Sequence, residues 1–338
     1  MKVFLIGGTG LLGSAAAEEL IQRGHQVHSI ALPGVPDGAN LPSQMKLEFK
    51  NYLNLKDDEL RGYFKGCDGF VFASGVDERV DGPSPIYEFY NKYNLTPLER
   101  FLRIAKECGV KHTVICGSYF SYFDKIWPKK ELYRWHPYVR SRIDQEKMAL
   151  GLADNNFNVG ILELPYIFGA QQGREPVWTI IVKTVRGMKG STLYPVGGTT
   201  MVTRRQVAQA IAGALEKTKG GQCWPIGYYN LKWKELLAIV HKYMGMPNRK
   251  VITIPTWMFK LGIKSVEKQL REPGAEGGIY MPKFADLQCV ETYIDKSQGC
   301  VPLGVTDDDI DAAIGDSIRL SMDVLDGKVK NVVAMKGE

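Results

Sequence analysis

The chain has 338 residues, of which 44% are apolar and 24% are charged, a balance typical of a globular protein with a full hydrophobic core. Its net charge of +6 comes without an arginine-rich tract interleaved with aromatic residues, so the composition argues against nucleic-acid binding. No apolar run approaches the roughly 18 residues that a membrane span needs, and the N-terminus lacks the pattern of a signal peptide.

The six cysteines are scattered along the chain, without a Cys-x-x-Cys pair: Cys67, Cys108, Cys116, Cys223, Cys289 and Cys300. This spacing indicates neither a zinc site nor a disulfide framework, so no metal is expected. A reducing, cytoplasmic setting is the simplest interpretation.

The first predicted elements are a strand, a glycine-rich turn, a helix and a second strand. Val3–Ile6 is a continuous apolar run, and the glycines after it fit G-x-G-x-x-G from Gly8 and G-x-x-G-x-x-G from Gly7. A helix-forming segment closed by Gly24 follows, and then the strand Gln26–Leu32. Glycines in this context let the backbone approach a pyrophosphate, which the helix N-terminus attracts with free N–H groups. The segment therefore predicts a dinucleotide site.

Strands and helices continue to alternate through the first half of the chain. The predicted strands are Lys46–Phe49, Gly69–Ala73, His112–Cys116 and Val159–Leu164, and the predicted helices are Leu98–Cys108 and Tyr138–Ala153. Such alternation favours parallel pairing with right-handed crossovers. It predicts an α/β fold with a doubly wound, Rossmann-type parallel sheet and a smaller C-terminal substrate region.

The second half is less regular. Its predicted elements are the helices Trp178–Met188, Arg205–Lys217, Lys234–Met244 and Asp308–Leu325, a short strand Val251–Pro255, an exposed glycine-rich loop Pro273–Gly278 and a frayed end Lys328–Glu338. We expect a dinucleotide-binding domain over 1–165 with a return segment around 196–230. The substrate region is expected over 166–195 and 231–325, followed by a tail over 326–338.

Three segments after the glycine turn are candidates for the chemistry. The first, from Asp68 to Gly75, is a strand that ends in small residues, which leave space for a ligand at the carboxyl edge of such a sheet. In the second, a strand runs into Gly117 and Ser118. The third places Tyr138 and Arg142 four residues apart, on one face of a predicted helix.

With these motifs in order, the chain resembles the short-chain dehydrogenase/reductase superfamily, in its extended branch of epimerases, dehydratases and reductases. The resemblance runs from Met1 to about Leu325. Four further segments are similar to family motifs: the structural asparagine at Asn94-Leu95-Thr96, the proline-to-glycine stretch Pro165–Gly169, the strand-to-helix segment Thr203–Ala210 and the turn Leu303-Gly304-Val305.

The resemblance implies catalytic roles for Ser118, Tyr138 and position 142. The serine would orient a substrate oxygen, and the tyrosine hydroxyl would act as general acid or base. Where the family has a lysine that binds the nicotinamide ribose and lowers the tyrosine pKa, this chain has Arg142. Arginine keeps the charge and offers donors to ribose hydroxyls, but it stays protonated. Tyr138 and Arg142 are also consistent with two other roles. They could simply pack the helix against its neighbour, or they could belong to a former enzyme that now only binds the cofactor.

The serine assignment has local alternatives. Ser118 directly follows the strand and a glycine, and we prefer it for that reason. Tyr119 and Ser121 are close by, and a serine at the end of a strand is often only a cap of the next helix or turn.

The predicted cofactor contacts lie in the glycine turn, at strand ends, in the asparagine segment and on the catalytic helix: Gly7, Gly10, Leu11, Leu12, Gly13, Ala31, Asn54, Ala73, Ser74, Gly75, Asn94, Tyr138, Arg142 and Pro165. The cofactor is NADP or NAD. The second strand ends at Ala31 and Leu32 without the acid that binds a ribose 2′-OH in NAD enzymes, which slightly favours NADP. No arginine or lysine lies nearby in the sequence, and Asn51 or Asn54 is a candidate for contact with the adenine.

The substrate side departs from nucleotide-sugar enzymes at two places. Glu163 stands where an arginine is common, and Arg205 or Gln206 stands where the family has an acid. Aromatic residues cluster around the motifs, which suits an apolar or ring-shaped carbonyl substrate although most of them fit a core equally well: Tyr119, Phe120, Tyr122, Trp135, Tyr166, Phe168 and Trp178.

These observations predict an NAD(P)-dependent oxidoreductase that acts on a carbonyl or hydroxyl group of a small molecule. One alternative is a nucleotide-sugar epimerase or dehydratase, and another is a non-catalytic NAD(P)-binding regulator. The expected partner is the small-molecule substrate, with no nucleic acid and no membrane, and a homodimer is a further expectation.

Overall fold

A seven-stranded parallel sheet forms the centre of the protein. A computed structural model describes residues 1–270 and 274–333. The strands of the central sheet are β1 (Lys2–Ile6), β2 (Gln26–Ala31), β3 (Lys46–Phe49), β4 (Gly69–Phe72), β6 (His112–Cys116), β7 (Asn158–Glu163) and β11 (Gly221–Pro225). Their spatial order is β11-β7-β6-β4-β1-β2-β3, and every neighbouring pair is parallel. The prediction of a doubly wound Rossmann-type sheet is confirmed.

The remaining strands form three smaller sheets. They are β5 (Asp81–Pro83), β8 (Tyr166–Phe168), β9 (Thr192–Pro195), β10 (Gly198–Thr203), β12 (Tyr229–Lys232), β13 (Val251–Ile254), β14 (Ala275–Gly277) and β15 (Glu291–Thr292). Strand β10 is central to the largest of these sheets and pairs with β8, β12 and β15. The return segment predicted at 196–230 is thus split between sheets, because β10 lies outside the central sheet and β11 lies at its edge.

Helices cover both faces of the central sheet and build the C-terminal region. They are α1 (Leu11–Gln22), α2 (Asp57–Phe64), α3 (Ile86–Tyr90), α4 (Thr96–Glu107), α5 (Tyr119–Ile126), α6 (Leu132–Trp135), α7 (Pro137–Leu150), α8 (Thr179–Gly187), α9 (Arg204–Lys217), α10 (Trp233–Tyr243), α11 (Thr256–Leu270), α12 (Met281–Gln288), α13 (Cys300–Leu303) and α14 (Ile310–Leu325). In the described part of the chain, no helix is long and apolar enough to cross a bilayer.

The core follows from the strand sequences. Strands β1 and β4 are almost entirely buried, with Val3 and Leu5 packed toward one face of the sheet and Phe4 and Ile6 toward the other. Side chains that alternate across a sheet covered on both faces produce this run of consecutive apolar residues. A separate aromatic cluster surrounds Tyr138, beyond the carboxyl ends of the strands.

The structure corrects two predictions in the second half. The segment predicted as an exposed loop at 273–278 contains β14, which pairs with β5, and its last two glycines, Gly277 and Gly278, are buried. The C-terminal end is partly docked, since Val333 exchanges backbone hydrogen bonds with residues 173 and 175. Pro273 and residues 334–338 lie outside the described residues. The proposed domain boundaries remain a prediction.

Candidate active site

The glycine turn between β1 and α1 is held by close backbone packing. Gly7 has a φ of +101°, and a Cβ there would lie 2.6 Å from the carbonyl oxygen of Ala73. A Cβ at Gly13 would collide with the carbonyl oxygen of Gly7, and the Gly10 N–H donates to that oxygen at 2.9 Å. Helix α1 starts without a side-chain cap and without an acidic residue in its first turn. The first N–H groups, those of Leu11 and Leu12, therefore have no intrahelical partner, and the turn fits an anion such as a pyrophosphate.

The end of β2 contains no charged side chain. Ala31 is buried, and its carbonyl oxygen accepts the Lys50 N–H at 2.8 Å. The Asn51 side chain accepts the Leu53 N–H in its own turn, and Asn54 is exposed. The Asn51 side chain is thus already used within its own turn, whereas a contact of Asn54 with the adenine stays a prediction.

Tyr138 and Arg142 lie together in the aromatic cluster beyond the strand ends. Tyr138 is 4% exposed, and Arg142 is 6% exposed with its guanidinium carbon 5.2 Å from the centre of the Tyr138 ring. Burial raises the pKa of Tyr138, while Arg142 lowers it and the carboxylates of Glu78 and Asp77 raise it further. The net direction is upward. Burial therefore outweighs the lowering by Arg142.

A closed hydrogen-bond network fixes Arg142. Its Nη1 donates to Oε1 of Gln145 at 3.0 Å, and the Gln145 amide donates to the carbonyl oxygen of Asn94 at 2.7 Å. The Asn94 side chain accepts the Val76 N–H at 2.8 Å and donates to the Val76 carbonyl oxygen at 2.9 Å, which Arg142 Nη2 reaches at 3.4 Å. The buried Nε of Arg142 has no partner among the described residues. That unpaired donor fits the hydroxyl group of a bound ribose.

Small residues after β4 leave room for this network. Ala73 donates its N–H to Ile6 at 3.0 Å, and Ser74 and Gly75 follow it. Gly75 has a φ of +136°, and a Cβ there would lie 2.7 Å from Oδ1 of Asn94 and 3.8 Å from Arg142. The structure therefore brings 73–75, Asn94, Tyr138 and Arg142 together. Asn94 is part of a π-helix over Asn91–Leu95 and holds the strand end rather than facing an open site.

Ser118 caps the helix that starts at the end of β6. Its hydroxyl accepts the Phe120 N–H at 3.4 Å, and the residue is buried. Of the alternatives, Tyr119 is engaged with Thr199 at 3.3 Å, whereas the buried Ser121 hydroxyl has no hydrogen-bond partner in the described part of the chain. The catalytic role of Ser118 stays a prediction. Pro165 is buried just beyond β7 and immediately precedes β8.

A C-terminal segment closes over the tyrosine. The Tyr138 N–H donates to the Gly278 carbonyl oxygen at 3.0 Å, and a Cβ on Gly278 would collide with the Tyr90 hydroxyl. The Tyr280 N–H donates to Nδ1 of His136 at 3.1 Å, and burial lowers the pKa of His136 to about 4. His136 is therefore neutral at pH 7. Sequence reasoning missed this cover because nothing in the local pattern of 274–280 indicates its distant partners.

Two buried carboxylates beside β7 and β11 share an ion pair with the exposed Lys125. Nζ of Lys125 lies 2.9 Å from Glu146 and 2.7 Å from Glu163, and Cys223 donates to Glu146 at 3.7 Å. The ligand atoms of Glu146, Glu163 and Cys223 are all within 4.8 Å of one another, which is metal-like spacing. The ammonium of Lys125 already supplies the positive charge there. Burial and the neighbouring Glu146 raise the pKa of Glu163 to about 7.

The strand order and the glycine turn define a Rossmann-type α/β protein. The chain belongs to the NAD dependent epimerase/dehydratase family, whose sequence profile matches residues 3–224. The resemblance seen in the sequence is thereby confirmed, and the chain is placed among NAD-binding proteins.

Individual relatives are distant. The structure of gox2253 is 21% identical and superposes with a TM-score of 0.72 over 97% of this chain and 99% of that one. A nucleoside-diphosphate-sugar epimerase from Pseudomonas aeruginosa is 15% identical, with a TM-score of 0.67 over 96% and 98% of the two chains. UDP-glucuronic acid 4-epimerase from Bacillus cereus, crystallised with NAD, is 13% identical, with a TM-score of 0.67 over 96% and 99%. At such identities the likeness establishes the fold.

One similar curated protein is an uncharacterised protein of Saccharomyces cerevisiae. It is 22% identical over an alignment of 263 residues, which covers 75% of this chain and 83% of the yeast protein.

Proposed function

We propose that the protein is an NAD(P)-dependent oxidoreductase that reduces a carbonyl group, or oxidises the corresponding hydroxyl group, of a small apolar or ring-shaped molecule. The observation that carries the proposal is the buried Tyr138 phenol beneath the Arg142 guanidinium, at the carboxyl edge of a Rossmann sheet. Ligands bind at this edge in open parallel sheets.

The residues divide the work as follows. A bound nicotinamide supplies or accepts the hydride. Tyr138 donates its phenolic proton to the substrate oxygen during reduction and takes it back during oxidation, while the Ser118 hydroxyl orients that oxygen. Arg142 holds the ribose with its unpaired Nε–H and balances negative charge that develops on the phenol. Because burial raises the pKa of Tyr138, the phenol is protonated at neutral pH, which suits the reductive direction.

The surroundings of Tyr138 support an apolar or ring-shaped substrate. The Tyr138 ring has edge contacts with Tyr90 at 5.6 Å and Phe120 at 6.5 Å between ring centres. Arg205, which stands where the family has an acid, is paired with Asp308 at 3.2 Å. The rings around Tyr138 favour an apolar or ring-shaped substrate.

The second candidate is a nucleotide-sugar epimerase or dehydratase, which would use the same cofactor within one catalytic cycle. Its support is the family membership, together with similar structures described as epimerases of UDP-sugars and nucleoside-diphosphate sugars. The third reading, a non-catalytic NAD(P)-binding regulator, is supported by Arg142 in the lysine position and by the capping role of Ser118.

The deciding experiment incubates the purified protein with NADPH or NADH and a panel of cyclic and aromatic ketones and aldehydes, and separately with NAD and UDP-sugars. If the absorbance of the reduced cofactor falls only when a carbonyl compound is present, the oxidoreductase is supported. If a UDP-sugar is converted without net consumption of cofactor, the protein is an epimerase and not the proposed oxidoreductase. Cofactor binding without turnover in either panel supports the regulator. The Tyr138→Phe protein is the control, since its turnover must be lost if the observed reaction occurs at this site.

A further inference from the structure

The segment that follows β8 crosses the glycine turn. The amide of Gln171 donates to the Thr9 carbonyl oxygen at 3.0 Å and to the Ser14 hydroxyl at 3.2 Å. Nη2 of Arg174 donates to the same Thr9 oxygen at 3.3 Å, and its Nε donates to Oε1 of Gln171 at 3.0 Å. A guanidinium from far along the chain thus lies directly against the predicted phosphate turn.

The same segment contacts the chain that follows β2. Gly173 has a φ of +73°, and a Cβ there would collide with the backbone of Asp37. Arg174 therefore bonds to the β1–α1 turn, and the residue before it packs against the chain beyond the end of β2. These two elements flank the adenosine ribose in a Rossmann fold, where an arginine accommodates the 2′-phosphate of NADP.

Arg174 is a half-buried cation with no carboxylate partner among the described residues. Of the described residues, none offers it a carboxylate oxygen within 4.0 Å, and burial alone lowers its pKa. Arg23, by contrast, is paired with both Glu19 and Glu216 at 2.8 and 2.9 Å. A partly desolvated guanidinium bound only to neutral oxygens retains donors and charge for an anion.

We propose that Arg174 binds the 2′-phosphate of NADP(H) and gives the protein a preference for that cofactor. The inference rests on the proposed NAD(P)-dependent function and adds to it the residue that distinguishes the two cofactors. The end of β2 supports it, because Ala31 and Leu32 offer neither an acid to bind a 2′-OH nor a negative charge to repel a phosphate. The sequence near the end of β2 has no arginine or lysine, and Arg174 in the segment after β8 supplies this cation.

The test measures binding rather than turnover. Dissociation constants for NADPH, NADH, adenosine 2′,5′-bisphosphate and 5′-AMP are determined by calorimetry with the wild type and with Arg174→Gln, which keeps an N–H donor and loses the charge. A charge-assisted bond to phosphate is worth roughly 10- to 100-fold in affinity. We expect that loss for NADPH and for the bisphosphate, with changes of less than about twofold for NADH and 5′-AMP. Arg174→Lys should retain part of the NADPH affinity.

Arg319→Gln is the matched control. Arg319 is exposed, is paired with Asp316 at 2.6 Å and lines the same cavity as Gln171, so its loss removes one positive charge without touching the glycine turn. Its NADPH affinity should stay at the wild-type value. Equal weakening of NADPH and NADH by Arg174→Gln would show that Arg174 only ties down the turn, and unchanged NADPH binding would equally overturn the proposal.

The wild type separates this inference from the proposed function. If it binds NADH but not NADPH, the role of Arg174 is refuted while the oxidoreductase proposal stands. If it binds neither cofactor, both are refuted.

Discussion

Gln145 joins Arg142 to the backbone of Asn94, with one amide oxygen accepting from the guanidinium and the amide nitrogen donating to the carbonyl. Among the described residues, the almost fully buried Arg142 donates hydrogen bonds to neutral amide and carbonyl oxygens, which fix its position beside the ring of Tyr138. Burial lowers the pKa of Arg142, but Tyr138, Asp77 and Glu78 raise it, and the net direction is upward. The arrangement explains how a longer residue than the usual lysine is kept beside the phenol.

The first prediction concerns this link. Gln145→Ala should lower the free energy of unfolding by about 1–3 kcal/mol, because it removes the partner of the buried Arg142 Nη1 and the side-chain donor to the Asn94 carbonyl oxygen. It should also reduce cofactor affinity, since Arg142 is no longer positioned. Urea unfolding and cofactor titration measure the two effects. Lys147→Ala, an exposed change two residues along the same helix, should alter neither. A stable variant with normal affinity would show that Gln145 does not position Arg142.

The second prediction separates acid–base chemistry from binding. Tyr138→Phe should reduce turnover by about 10²- to 10⁴-fold and leave cofactor affinity nearly unchanged, because only the hydroxyl is removed. Arg142→Lys should keep or raise turnover, as it restores the residue usual in the family, whereas Arg142→Ala should damage both turnover and binding. Steady-state kinetics and cofactor titration of the three variants test this. Full activity of Tyr138→Phe on a proven substrate would refute the assignment.

The sequence alone was sufficient to predict those parts of the site that are formed by residues close together in the chain. The strand, glycine turn and helix near Gly10 depend on neighbouring residues, so their pattern predicted the turn that the structure contains. The helix that carries Tyr138 and Arg142 was predicted for the same reason. Six of the seven strands of the central sheet were predicted, whereas β11 was missed because it is a half-exposed edge strand bounded by glycine and proline.

What the sequence did not predict depends on contacts between distant segments. Gln145 looks like any polar helix residue until Asn94 is placed next to it by the π-helix. Arg174 has no motif around it, and its position follows only from the path of the chain across Thr9. The net rise in the pKa of Tyr138 has a related origin, because it comes mainly from burial by residues of several elements, which the sequence of one helix does not reveal.

The third prediction tests the cover over Tyr138. Gly278→Ala places a methyl group against the Tyr90 hydroxyl and the Cβ of Tyr138, so the segment must move away. Overpacking of this kind costs about 1–3 kcal/mol. We expect a lower melting temperature and weaker substrate binding. Gly187→Ala is the control, because a Cβ there meets open space. If Gly278→Ala has the stability and KM of the wild type, the cover is not closed in solution.

The fourth prediction follows from Glu163, whose pKa is raised to about 7 by burial and by Glu146. The unfolded chain releases this proton near pH 4.5, so between about pH 4.5 and 7 the native state holds a proton that the unfolded state has lost. The free energy of unfolding should therefore fall as the pH rises through this interval, by at most about 3 kcal/mol from this group.

Glu163→Gln should remove that contribution, so the difference in unfolding free energy between variant and wild type should change with pH only inside this window. Urea unfolding at half-unit steps from pH 4.5 to 8 measures the difference, in which the titration of the histidines cancels. Glu59→Gln is the control, because the pKa of Glu59 is lowered by its bonds to Lys56 and Lys50 and its effect lies at lower pH. Parallel profiles for wild type and Glu163→Gln would mean that Lys125 keeps Glu163 ionised throughout, with a pKa no higher than that of an exposed glutamate.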